Sequence, residues 1–184
     1  MLKRKVEAID KWESRIAYPD GKIADYQTMG NGRYFKLIAE PIKHKILPEV
    51  IINGLGYNGM TPGPLLILKQ GEWVYIELVN HFDEPTSLHV HGLSKPNSQD
   101  GIPEIEPTPK IKPGQSYTYR FQAWQCGTFF YHAGNPLHIS LGMIGGFVVI
   151  PQYQKHLPKK DYVLIFIAMG TSPRGGWKGN TRSI

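Results

Sequence analysis

The sequence predicts an all-β domain, a sandwich or barrel of short strands, and three observations carry that prediction. Glycine and proline number 20 and 15 among 184 residues, about 19% where an average chain holds about 12%, which favours many turns over long helices. From Tyr34 onward, short β-branched and aromatic runs alternate with turn residues, the texture of a strand-rich sandwich or barrel. No stretch of a dozen residues carries the helical period. Hydrophobic residues make up 41% of the chain, enough to offset chain entropy in one core, and the length suits one domain plus an extension.

Residues 1–33 are mixed and polar, with an Asp20-Gly21 turn and a Gly30-Asn31-Gly32 breaker, and read as a leading arm. The predicted strands then follow at 34–39, 46–53, 65–69, 72–79, 86–91, 115–122, 127–132, 145–150 and 162–168. Thr61-Pro62-Gly63-Pro64 is a rigid turn that introduces the third of them. In 72–79, Val74, Ile76 and Leu78 share one face, but Trp73, Tyr75 and Val79 are apolar too, so both faces are expected to be covered. The clearest alternation is in 115–122. Tyr117, Tyr119 and Phe121 fall on one side and Ser116, Thr118 and Arg120 on the other, as in a half-buried antiparallel strand. The domain is therefore drawn at 34–168. Residues 169–184 read as a flexible tail or the product of a truncation, since the strong run 162–168 would ordinarily lead into more protein.

Charge excludes some functions. The net charge is +6, yet residues 1–150 hold 15 basic against 14 acidic side chains while residues 151–184 hold 6 against 1. A nucleic-acid binder carries its basic residues along the folded face, so no nucleic-acid partner is expected. No run approaches 18 apolar residues, so no membrane span is expected either. No apolar leader follows the first residues, which reads as a cytoplasmic protein, or as an extracellular one whose leader has been removed. The single cysteine, Cys126, rules out an internal disulfide framework and reads as a small buried hydrophobe.

Four of the seven histidines form two tight groups: His89 and His91 in Leu88-His89-Val90-His91-Gly92, and His132 with His138 six residues beyond it. Clustered imidazoles are typical of copper and zinc sites. On a strand, residues two apart point the same way, roughly 6.6–7 Å apart along the chain. His89 and His91 can therefore reach toward one metal, or a close group of metals. His132 closes the run 127–132, which could lie beside the first strand and bring a third imidazole in. The plain alternative is a pair of surface or satisfied core histidines. The scattered His44, His81 and His156 read as surface residues.

The chain resembles the multicopper oxidases, laccases and their relatives, in their N-terminal cupredoxin domain. The resemblance rests on Gly56-Tyr57-Asn58-Gly59, Pro62-Gly63-Pro64, Gly71-Glu72-Trp73-Val74, Ser87-Leu88-His89-Val90-His91-Gly92-Leu93, Asp100-Gly101-Ile102-Pro103, Pro113-Gly114-Gln115-Ser116, Gly127-Thr128-Phe129-Phe130-Tyr131-His132 and 142–150. It implies a cupredoxin-like Greek-key sandwich and copper as the cofactor. It assigns His89 to a mononuclear type 2 copper and His91 and His132 to a coupled type 3 pair, in a cluster that reduces dioxygen to water. It also places Asp100 near that cluster, where a carboxylate could assist proton delivery. Gly134 stands where the family has a further histidine ligand. Beyond His132 the chain is more similar to copper nitrite reductases and small blue copper proteins. Ala133 takes the cysteine position of a type 1 site, while His138 and Met143 keep the spacing of its other two ligands. His138 is also a candidate replacement for the ligand lost at Gly134, and Met143 has core filling as its alternative.

Three functions stay open at this stage. The first is an oxidase that takes electrons from a small phenolic or metal-ion donor and passes them to dioxygen. This chain would be its N-terminal half, with the site completed by a second domain or by other subunits of a homo-oligomer; two-domain relatives form trimers, which implies a homotrimer. The second is a non-enzymatic single-domain copper-binding or copper-handling protein without a type 1 site. The third is a sandwich whose histidines are structural remnants.

Overall fold

The computed structural model describes residues 11–19, 21–105, 107–153 and 157–169. Among the described residues eleven strands run in chain order: β1 (Ile16–Ala17), β2 (Gln27–Met29), β3 (Gly32–Leu47), β4 (Val50–Tyr57), β5 (Gly63–Lys69), β6 (Trp73–Asn80), β7 (Leu88–His91), β8 (Ser116–Gln122), β9 (Gly127–Ala133), β10 (Ile144–Ile150) and β11 (Asp161–Tyr162). One short helix, α1 (Pro136–Ser140), joins β9 to β10. The Asn135 side chain accepts a hydrogen bond from the backbone N–H of Leu137, and Pro136 starts the turn, the usual chemistry of a helix start.

β1 and β11 make a two-stranded sheet of their own, and the other nine strands form two sheets that share one core, the sandwich the sequence predicted. One has the order β5-β10-β9-β7; the other has β2-β3-β6-β8, with β4 paired to the far half of β3. Their inner faces bury one apolar cluster, to which β3 gives Phe35 and Leu37, β6 gives Val74, Ile76 and Leu78, β8 gives Tyr119 and Phe121, and β10 gives Phe147 and Val149. Leu88 and Val90 of β7 and Tyr131 of β9 join it. At about 25 cal/mol per Å2 of apolar surface removed from water, each such side chain contributes about 1.5–3 kcal/mol.

A second cluster covers the outer face of the first sheet. Leu65 and Ile67 of β5 and Val148 and Ile150 of β10 meet Ile16, Tyr18 and Val163 there. Residues read as a leading arm thus help bury a face of the domain, and β1 pairs in parallel with β11.

Three strand expectations need correction. The run 46–53 is not one strand: it straddles a hairpin turn at Pro48-Glu49, with Leu47 opposite Val50. Proline lacks the N–H a ladder needs. The run 162–168 is regular only at Tyr162, because its partner β1 is two residues long. Val163 is buried there while Leu164 and Phe166 lie exposed. Strand β6 is covered on one face only. Trp73, Tyr75, Glu77 and Val79 are half-buried, and the Arg120 guanidinium lies 4.6 Å from the Trp73 ring centre and 5.7 Å from that of Tyr75. The tail read at 169–184 lies outside the described residues beyond Met169.

Candidate metal centre

Strand β7 is the edge of its sheet, antiparallel to β9, with His89 directly opposite His132 and His91 opposite Phe130. Side chains alternate across a strand. Leu88 and Val90 therefore go into the core, and His89, His91, Phe130 and His132 share the opposite face. The OH of Tyr119, from the facing sheet, accepts the N–H of Leu88 at 2.9 Å and anchors the start of β7.

The three imidazoles converge. Ring centres lie 5.1 Å apart for His89 and His132, 5.4 Å for His89 and His91, and 5.6 Å for His91 and His132. One ring nitrogen from each falls within 4.8 Å of the others. His132 is buried, His89 half-buried and His91 exposed, so the group opens toward solvent on the His91 side. The Phe130 ring stacks on His91 at 4.7 Å and 12° between planes.

Main-chain carbonyls choose the tautomers. His89 Nδ1 lies 2.6 Å from the Asp100 carbonyl oxygen, and His132 Nδ1 lies 2.7 Å from that of Ala133. A carbonyl only accepts, so each Nδ1 carries the proton, and in a neutral ring each Nε2 keeps its lone pair. The His132 Nε2 faces His91 Nδ1 at 3.4 Å. Burial pulls the His89 and His132 rings below the ordinary imidazole value of 6.5, with the nearby Lys95 ammonium and the neighbouring histidines adding to it. Each of the two rings thus keeps an Nε2 lone pair that burial disfavours protonating, the state a metal ligand needs, and that of His132 faces the third ring. Three imidazoles suit copper or zinc, and the donor set fits the copper that the sequence implied.

The other predicted site residues fall elsewhere. His138, in α1, is fully buried and does not join the three: its Nε2 lies 2.8 Å from a Glu84 carboxylate oxygen, its ring packs 5.4 Å from that of Phe82, and its Nδ1 has no partner. Met143 is fully buried in the main apolar cluster. Asp100 sits beside His89, with Oδ1 3.3 Å from Nδ1. Cys126, expected to be buried, is exposed, since it lies in the turn between β8 and β9. Of the scattered histidines, His81 is exposed, His44 half-buried and His156 outside the described residues.

Gly134, where the resemblance implies a further ligand, leaves no room for one. A Cβ there would stand 2.3 Å from Ser87 Oγ and 2.7 Å from the Gly101 carbonyl oxygen, so any side chain displaces the loop that orients His89. Sequence reasoning missed Lys95, whose ammonium lies beneath this loop, and Glu84. Nothing local distinguishes either from a surface charge.

Comparison with known proteins gives the family of the chain. A family model described as multicopper oxidase matches residues 40–154. A laccase of Aspergillus fumigatus is 37% identical over 103 residues, covering 55% of this chain and 17% of its own. A multicopper oxidase of Staphylococcus aureus is 38% identical over 122 residues, covering 65% and 26%. The chain thus spans about a sixth to a quarter of these relatives' length. The crystal structure of a multicopper oxidase from Pseudomonas thermotolerans superposes with a TM-score of 0.63 at 31% identity, over 66% of this chain and 30% of that one.

Proposed function

The chain belongs to the multicopper oxidase family, and from that premise we propose that it is the part of a laccase-like oxidase that supplies three histidines to a copper site where dioxygen is reduced. The observation that carries this reading is the convergence of ring nitrogens of His89, His91 and His132 within 4.8 Å, with the Nδ1–H of His89 and of His132 held by a carbonyl so that the lone pair of each lies on Nε2. In this reading His89 serves a type 2 copper, and His91 and His132 serve a type 3 pair. Bound copper would supply one-electron redox chemistry that a protein side-chain set lacks. The chain's own residues do the rest. The Asp100 and Ala133 carbonyls hold the rings in the ligand tautomer, Phe130 braces the exposed His91, and the Asp100 carboxylate lies where it can pass protons to the site. Electrons come from a small phenolic or metal-ion donor.

Three imidazoles open to solvent make half a site. Its completion falls to a second domain or to another subunit, and a homotrimer is the oligomer we infer. The test is reconstitution of the full chain with Cu(II), followed by metal analysis, electron spin resonance and oxygen uptake with a phenolic donor. Copper held by imidazole nitrogen, with oxygen uptake wherever the site is completed by assembly, supports the reading. Tight copper without uptake in a complete assembly makes the chain a copper-handling module. Absence of copper binding overturns the site.

A further inference from the structure

We propose that Lys95 is a positioning residue for this site: its buried ammonium clamps β7 to the loop 92–101 and so holds His89 with Nε2 presented to copper. The inference rests on the copper reading for its effect on metal affinity, but its structural half stands without metal.

The Lys95 side chain is only 1% exposed, and lysine is almost never buried unless paired. An ammonium has three N–H donors, and here each has an acceptor: Asp100 Oδ1 at 2.6 Å, the Val90 carbonyl at 2.7 Å and the Leu93 carbonyl at 3.5 Å. With its donors taken, Lys95 is not an anion-binding group. The identity of the partners assigns its role. Val90 stands between the two histidines on the edge strand β7, and Asp100 is the residue whose carbonyl receives the His89 Nδ1–H. One cation therefore grips both the backbone that carries the ligands and the group that orients the first of them.

The same loop is fastened from its other side. Ser87 Oγ donates to the Gly101 carbonyl at 2.8 Å, and Thr108 Oγ1 accepts the Gly101 N–H at 3.1 Å. Gly101 has φ +81° and runs so close to β7 that a Cβ would stand 1.7 Å from the Leu88 carbonyl oxygen. Lys95 provides the ionic part of this fastening, where groups that orient a ligand imidazole tune its metal affinity.

The sign of one experiment separates this role from a merely electrostatic one. A positive charge beside a cation site weakens metal binding, so deleting that charge alone would tighten copper. Losing the clamp loosens it. In the full chain, Lys95→Met is compared with wild type by Cu(II) titration against a competing chelator. Imidazole 15N–1H spectra of the copper-free protein are recorded at about pH 8, where the rings are neutral. The expected result is a wild-type His89 in the Nδ1–H tautomer, a mixture of tautomers in Lys95→Met, and copper binding weakened by about 10–100-fold. Lys95→Gln, which keeps N–H donors without charge, recovers part of both and carries the test if circular dichroism shows that Lys95→Met does not fold. An unchanged tautomer, or copper affinity that is unchanged or raised, overturns the proposal. If wild type takes up no copper, the functional reading fails, and the tautomer comparison still decides the role of Lys95.

Discussion

Two groups of ligand-type side chains occupy this domain, and they have opposite fates. His89, His91 and His132 stand on one sheet face with their Nδ1–H or ring faces satisfied by neighbours and their remaining lone pairs converging on an open side. His138 and Met143 lie within the interior, where Met143 fills the apolar cluster and the His138 Nε2 is spent on Glu84. The lesson is that a lone pair makes a ligand only where the fold brings it beside others. A carbonyl that accepts the Nδ1–H bond leaves the lone pair on Nε2, on the face the histidines share, whereas a carboxylate that accepts the Nε2–H bond leaves His138 only its Nδ1 lone pair, buried and away from the other imidazoles.

The strongest test of that contrast removes the convergent pair. His89→Ala with His91→Ala is expected to reduce copper stoichiometry to background while changing apo stability by about 1 kcal/mol, since this face is half-buried or exposed. Metal analysis and denaturant unfolding check both halves, and retained copper would erase the distinction between the two groups. A smaller effect is expected from His138→Leu. Losing its hydrogen bond to a carboxylate costs about 2 kcal/mol, with leucine filling the volume, and copper stoichiometry stays the same. A loss of copper in that variant would move His138 into the site.

The smallest effect concerns pH. His89 and His132 have folded-state values below 6.5, so as pH falls below that value the unfolded chain takes up protons that the native one refuses, and stability declines. Apo unfolding midpoints measured between neutral and mildly acidic pH should drop, and should drop less once His89 and His91 are replaced. A flat profile in the copper-free protein would mean that burial does not hold the His89 and His132 rings below the ordinary imidazole value.

Much of the domain was legible in the residues. The Gly and Pro content and the alternation in Ser116–Gln122 gave the sheet class, and His89-Val90-His91 on a strand placed two imidazoles on one face. Hairpins were harder. The run 46–53 looks continuous because β-branched residues flank Pro48, and only the pairing of Leu47 with Val50 shows the reversal. The covering of β5 and β10 by Ile16 and Tyr18 was equally hidden, because a short polar arm does not announce which apolar residues will find a sheet. Lys95 and Glu84 escaped notice because the partner of a charged residue lies across a loop for the one and distant in sequence for the other.

By itself, then, the sequence determined which atoms are available: imidazoles at period two and a β-rich frame to hold them. The tertiary structure decided which of those atoms are free. Register set His89 opposite His132, and the fold of 92–101 brought a carbonyl to one face of His89 and a buried ammonium beneath it. It also brought Glu84 to His138. The physical reason is range: side-chain alternation is a property of neighbouring residues, whereas the ownership of a proton or lone pair depends on groups that only folding makes adjacent.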